Sequence, residues 1–250
     1  MKVCTLASGS SGNSLFIQTN SSKILIDAGI SLRQIKAKLN RLDVELSDLD
    51  AVIISHEHLD HAMSIPKIEN PTYVASATIP LWKDKVKNLH EFSTGTSFSI
   101  KDVVITTFSV PHDALDPVGF TVETDHRKLG IVTDIGMATG LVRERLKGSN
   151  ILIIEFNHDE DIIRESNYPW EIKQRIMGRL GHLSNAQAAN LFSSLLHNEL
   201  SYLLLAHLSE TNNRNDVALR TASSVIEKSG ADHISISIAP RKALGEVLIV

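Results

Sequence analysis

Ser55-His56-Glu57-His58-Leu59-Asp60-His61 is the stretch on which the reading of this chain turns. It follows Ala51-Val52-Ile53-Ile54, an apolar run of strand length. Four metal-ligand side chains therefore crowd into six residues at a strand's end. Alternate residues of an extended chain share a side, so His56 and His58 can face one ion. Asp60 and His61 need the chain to turn, which aims them at a second ion. Three imidazoles and a carboxylate this close together are costly in an ordinary core, because each demands a polar partner. The density of the cluster points to metal ligation.

Composition sets wider bounds. At 250 residues the chain can bury a sizeable core. With 42% hydrophobic and 22% charged residues it reads as an ordinary soluble globular protein. The formal charge of −4 argues against holding nucleic acid by bulk basicity. Two divalent cations would cancel that charge and concentrate positive potential in one cleft, where a phosphate finds it. Cys4 is the single cysteine, which excludes an internal disulfide and suits a small core residue. Met1 to Leu6 lacks the pattern of a signal peptide, and no apolar run approaches a membrane span. The expectation is a cytoplasmic enzyme without a membrane partner. Oligomeric state is not legible.

Outward from the motif, strands are expected at 2–7, 15–18, 23–26, 98–100, 103–108, 120–123, 129–132, 151–154, 202–206, 234–236 and 247–249. Helices are expected at 31–41, where Leu32, Ile35 and Leu39 have helical spacing, and at 79–89, 141–146, 170–179, 184–197 and 214–228. Lys83, Lys85 and Lys87 read as a solvated face. Early strands followed by strands mixed with helices fit two packed mixed sheets with helices outside, an α/β sandwich. No linker, repeat or low-complexity tract interrupts it, so residues 1–250 are taken as one domain. The small-residue loop Ser8-Gly9-Ser10-Ser11-Gly12-Asn13-Ser14 is by default a turn. Its other reading is a floor of backbone N–H groups that holds a phosphate, with Ser10 and Asn13 as substrate contacts. It lacks the Gly-Lys-Ser/Thr ending of a phosphate loop.

Three further places put ligand types just past predicted strands: Val110-Pro111-His112-Asp113, Thr133-Asp134-Ile135-Gly136 and Ala206-His207-Leu208-Ser209. A lone histidine at a strand end is more often a hydrogen-bonded residue than a ligand. The weight lies in their order behind the dense motif. With them, the H-x-H-x-D-H pattern of residues 56–61 resembles that of the metallo-β-lactamase-fold hydrolases. The resemblance implies an αββα sandwich and a two-metal site. It implies that His56, His58 and His112 hold one ion, that Asp60, His61 and His207 hold the other, and that Asp134 touches both. Asp27 matches an aspartate that orients a metal-bound histidine from behind; its alternative is a turn residue before Gly29.

Within that fold the chemistry must be read from the site. Secreted zinc β-lactamases commonly carry cysteine where this chain has Asp134, and thioesterase-like glyoxalases carry a separate helical region not seen here. Gly181-His182-Leu183-Ser184-Asn185 with His207-Leu208-Ser209 resembles the transfer-RNA 3′-processing branch, but the long protruding arm of that branch has no counterpart. The chain is closer to the YycJ/WalJ-type exonuclease-like branch. It shares Leu6 to Ser14, Ile153-Ile154-Glu155-Phe156-Asn157-His158-Asp159, Tyr168-Pro169, Gly181 to Asn185 and His207-Leu208-Ser209-Glu210-Thr211-Asn212-Asn213. That resemblance implies a 5′→3′ DNA exonuclease tied to DNA repair, with nucleic acid as its partner.

Two divalent ions, zinc or manganese, would lower the pKa of a shared water to near neutrality for in-line attack on phosphorus. His182 and Asp60 are the candidate catalytic residues, His182 by donating a proton to the departing sugar oxygen. His158 either approaches the cleft behind the ligands or braces its loop through Asn157 and Asp159. Arg175 and Arg179, four apart on the expected helix, either form a solvated face or contact the nucleic-acid backbone. The alternatives are a small-molecule, cyclic nucleotide-type phosphodiesterase, an RNA-processing nuclease, and a non-catalytic metal-bound regulatory protein.

Overall fold

The computed structural model describes residues 1–250. Strands β1 (Lys2–Ala7), β2 (Ser14–Gln18), β3 (Lys23–Ile26), β4 (Ala51–Ile53), β5 (Thr72–Ala75) and β6 (Leu89–Phe92) lie side by side in chain order. So do β7 (Ser97–Ile100), β8 (Val103–Ser109), β9 (Val118–Glu123), β10 (Lys128–Val132), β11 (Ile151–Glu155), β12 (Tyr202–Ala206) and β13 (Ser235–Ile238), which make the second sheet. The last strand, β14 (Val247–Ile249), returns to pair with β1. Both sheets are mixed in the same way. Pairing is antiparallel up to β3 in one and up to β10 in the other, and parallel beyond.

The two sheets pack face to face, with helices on both outer sides, as the sequence pattern anticipates. Side chains alternate across each strand. Ala51 and Ile53 of β4 enter the core between the sheets, and Val52 and Ile54 enter a second core under α1 (Leu32–Asn40). Likewise Ile151 and Ile153 of β11 face inward, while Leu152 and Ile154 face a third core. Strands buried on both faces read as unbroken apolar runs, which is why these were legible.

The remaining helices are α2 (Leu59–Ala62), α3 (Ile79–Trp82), α4 (Gly140–Leu146), α5 (Glu160–Glu165), α6 (Trp170–Met177), α7 (Asn185–Ser193) and α8 (Asn215–Ser229). The helix expected over 79–89 stops after one turn at Lys83, and its last residue, Leu89, opens β6. The helix expected over 170–179 stops at Met177, because Gly178 leaves the helical region with an extended ψ of 168°. Strands β5 and β6 and helix α5 lay outside the expectation.

The motif's turn is α2 itself. His58 caps it, and both the His61 and Ala62 N–H groups donate to the His58 carbonyl. Its free carbonyls are held from two sides: Asn13 N–H donates to Asp60 O (2.7 Å) and Ala28 N–H to His61 O (2.7 Å). Gly29 lies against the same turn so closely that a Cβ there would fall 1.6 Å from Asp60 O. Gly29→Ala should therefore displace α2 and its ligands. Overpacking of this kind costs about 3 kcal/mol or more, a fall in Tm of roughly 6–12 °C for a chain this size. Thermal melting of the variant checks this, and an unchanged Tm would show that the turn yields.

Candidate metal centre

The candidate ligands sit where strands of the two sheets end. Asp27 follows β3, Asp134 follows β10 by one residue, and His207 follows β12. All three adopt left-handed backbone, with φ of 61°, 53° and 53°. That region costs a non-glycine residue on the order of 1 kcal/mol. It turns each side chain out of the strand's alternation and into the cleft between the sheets.

His56, His58 and His112 bring ligand atoms within 4.8 Å of one another. Asp60, His61, Asp134 and His207 form a second such group. A third joins Asp134 and His207 to Glu155 and His182. Asp134 lies between the groups: its Oδ1 is 3.9 Å from His112 Nε2 and 3.6 Å from His207 Nε2, and its Oδ2 is 3.1 Å from His61 Nε2.

The imidazoles are oriented from behind. His61 Nδ1 faces Asp27 Oδ2 at 2.7 Å, and His207 Nδ1 faces Glu155 Oε1 at 2.9 Å. His56 Nδ1 is 3.0 Å from Ser55 Oγ, and His112 Nδ1 is 3.3 Å from the Gly181 carbonyl. A ring whose Nδ1–H is engaged by an acceptor carries its lone pair on Nε2, aimed inward. His58 is reversed, with Nδ1 3.1 Å from His56 Nε2. Asp27 is fixed in turn by the Ser55 N–H (2.8 Å) and hydroxyl (3.0 Å).

The electrostatics show a surplus of acceptors. Burial would lower the His207 imidazole, but Asp134, Asp60 and Glu155 outweigh it and push it up to about 10. Burial is likewise outweighed at His61, which Asp27 and Asp134 raise well above the ordinary range. Asp134, which burial would raise, is held well below the usual carboxylate range by His207 and His61. Around the first group no such surplus exists, and burial lowers both His56 and His112, keeping them neutral donors. Asp134 Oδ2 and His207 Nε2 are buried without a hydrogen-bond partner. Extra protons on the rings are one way to meet that demand and a divalent cation is the other. Buried imidazole and carboxylate donors suit zinc or manganese, so the residues fit the group.

Glu155 was not singled out from sequence. It ends β11 fully buried, and its Oε1 lies between His207 Nδ1 and His182 Nδ1, the latter at 2.7 Å. Its Oε2 accepts from the Ile135 and Leu183 N–H groups. Burial would raise this carboxyl, but His182 and His207 hold it down to about 2. In return Glu155 outweighs the effect of burial on His182 and raises it. The available signal was a lone charge closing the apolar run Ile151 to Ile154. Glu155→Gln should move the alkaline limb of the kcat profile to lower pH, since the raised His182 loses its carboxylate. A limb that stays in place would detach Glu155 from His182.

Other sequence candidates land differently. Asn13 is buried among the ligands, with Nδ2 2.9 Å from His61 Nε2 and 3.4 Å from Asp60 Oδ2, and with Oδ1 accepting from Gly9 N–H. Ser10 is exposed, and it is Ser8 whose hydroxyl accepts from His207 N–H at 2.8 Å. His158 joins none of the three groups. Its carbonyl accepts from Asn185 N–H, its ring Nδ1 is buried without a hydrogen-bond partner, and the Asn157 amide donates to His207 O (3.0 Å). Arg175 pairs with Asp113 at 3.0 Å. Arg179 lies past the end of α6, so the two arginines do not share a helical face.

The chain matches the family described as the beta-lactamase superfamily domain over residues 22–207. It is 32% identical over 234 residues to exodeoxyribonuclease YycJ of Bacillus anthracis, covering 90% of this chain and 89% of that one. It is 34% identical over 231 residues to exodeoxyribonuclease WalJ of Streptococcus pneumoniae, covering 88% and 86%. Among solved structures, the metallo-beta-lactamase fold protein YhfI of Bacillus subtilis superposes with a TM-score of 0.76 at 17% identity, over 99% of this chain and 98% of that one.

Proposed function

The chain belongs to the beta-lactamase superfamily, in the branch of the YycJ and WalJ exodeoxyribonucleases, and from that membership we propose that it is a metal-dependent 5′→3′ DNA exonuclease. Residues 1–250 act as one catalytic domain. His56, His58 and His112 hold one divalent cation, Asp60, His61 and His207 hold the other, and Asp134 is shared. Zinc or manganese bound there supplies Lewis acidity at the phosphodiester and lowers the pKa of water.

The observation that carries the reading is His182. Its Nδ1 is tied to Glu155 at 2.7 Å beside Asp134, and about a fifth of its side chain stays open to the cleft. A histidine fixed this way, and not needed to complete either ligand set, holds a proton on Nε2 toward the position of a departing sugar oxygen. Asp27, Glu155 and Ser55 keep the ligand rings in register, so no reorganisation is required when charge builds on the phosphate. DNA as substrate, and a place in DNA repair, rest on the relatives' named activity. No helix is long and apolar enough to cross a membrane.

End-labelled single- and double-stranded DNA, RNA and a small chromogenic phosphodiester, each offered with manganese and with zinc, test the proposal. Immediate release of a 5′ label with progressive shortening of 3′-labelled DNA is expected. Turnover of the small diester alone would overturn it.

A further inference from the structure

The stretches Gly181 to Asn185 and His207 to Asn213 close on each other through two asparagines that lie outside the ligand groups. Asn185 is the first residue of α7, and Asn213 ends the loop that His207 begins. Both are buried, at 2% and 5% exposure. Their amides face each other and exchange two hydrogen bonds. Asn185 Nδ2 donates to Asn213 Oδ1 at 3.0 Å, and Asn213 Nδ2 donates to Asn185 Oδ1 at 2.9 Å. Asn213 Nδ2 also donates to the Phe156 and Asn157 carbonyls, at 2.8 and 3.1 Å, and its Oδ1 accepts from Arg214 N–H at 2.9 Å. One side chain thus joins the three segments that carry Glu155, His182 and His207.

Other bonds among these segments run through the middle one. Leu183 N–H donates to Glu155 Oε2, Asn157 N–H to the Leu183 carbonyl, and Ser209 N–H to the Asn157 carbonyl. The asparagine pair instead ties the His182 segment directly to the His207 loop. The two imidazoles it spans are stacked, with centroids 5.3 Å apart and 28° between their planes. Burying two amides costs free energy unless their polar atoms are partnered. An apolar pair of the same shape would fill the space as stably, but it would let the segments slide past each other. Two reciprocal bonds near 3 Å fix their register.

We propose that Asn185 and Asn213 are positioning residues for leaving-group departure: their amide pair sets His182 against His207 and Asp134, and so aims the proton donor. The inference rests on the reading of His182 as that donor and adds what places it. A donor displaced by about 1 Å loses up to about 100-fold in rate.

Asn185→Ala and Asn185→Leu both break the pair and leave Asn213 its bonds to Phe156, Asn157 and Arg214. Leucine also keeps the volume, so it carries the test if the alanine variant folds poorly. Each holoenzyme is compared with wild type and with His182→Ala on DNA, and on DNA in which sulfur replaces the departing sugar oxygen. A thiolate leaves readily without a proton, so the sulfur substrate cancels defects of proton delivery and no others. The Asn185 variants should lose about 10–100-fold in kcat on DNA, with KM and bound metal unchanged, and the loss should largely vanish on sulfur, as it should for His182→Ala. Wild-type kcat in Asn185→Leu overturns the inference, and so does a loss that persists on sulfur or comes with loss of metal. If the defect of His182→Ala itself persists on sulfur, the proton-donor reading falls and takes the inference with it. A wild type that cleaves no DNA sinks the exonuclease reading alone, and the crystal structure of Asn185→Leu then decides. His182 Nδ1, 3.9 Å from Asp134 Oδ1 in the wild type, should shift by about 1 Å; an unmoved ring overturns the inference.

Discussion

His182→Ala should lower kcat on DNA by about 10²–10⁴-fold, the range for removing a positioned general acid, while both divalent cations stay bound. His182 lies outside the group of His56, His58 and His112 and that of Asp60, His61, Asp134 and His207, and joins Asp134, Glu155 and His207 in a third. Its Nδ1 is engaged by Glu155, so its task is carried by Nε2. Without the imidazole the departing sugar oxygen must leave without a proton donor. Glu155 keeps His207 as a partner at 2.9 Å, so the ligand scaffold survives. Metal analysis alongside kinetics separates the outcomes. Loss of metal together with activity would make His182 a structural member of the site and remove its role in leaving-group departure.

Asp134→Ala should be as damaging by a different route. Asp134 is buried and faces His61, His112 and His207 at once, so its removal strips one acceptor from between the two groups. Losing a group that merely orients a ligand costs 10–100-fold in metal affinity, and a shared ligand should cost more than about 100-fold. The imidazoles raised by its charge then return toward neutrality: His207 and His61 are both held up by Asp134. The variant should lose exonuclease activity and the thermal stabilisation that added metal gives the wild type. Metal-dependent melting checks this, and a variant still stabilised by the same metal concentration would show that Asp134 is not a ligand.

Much of this was legible because two physical patterns repeat along the chain. The central strands are buried on both faces, so Ala51 to Ile54, Ile151 to Ile154 and Leu203 to Leu205 stand out as apolar runs with few alternatives. Ligand residues follow such runs, since strand ends are where a sandwich opens to solvent, and that places Asp27, His56, Asp134 and His207 without reference to tertiary contacts. Elements held by few apolar contacts were less visible. Strand β6 pairs with β5 through exposed His90 and Glu91, and its residues carry no clear alternation. Arg179 could not be separated from α6 by spacing alone, because Gly178 ends the helix between the two arginines. Glu155 was hidden by its own burial: a carboxylate closing a strand reads as a surface residue until His182 and His207 are seen against it. The partners of Ser8 and Asn13 were hidden for the same reason, since only the folded chain brings the Ser8 hydroxyl to His207 N–H and the Asn13 amide to His61.

The account stands on two cations held by seven side chains, and anomalous diffraction from crystals of the protein, at the absorption edge of the metal it carries, tests that most directly. Two peaks are predicted, one among His56, His58 and His112 and one among Asp60, His61 and His207, with Asp134 reaching both. Crystals grown with zinc or manganese that show no anomalous peak in the cleft would contradict it.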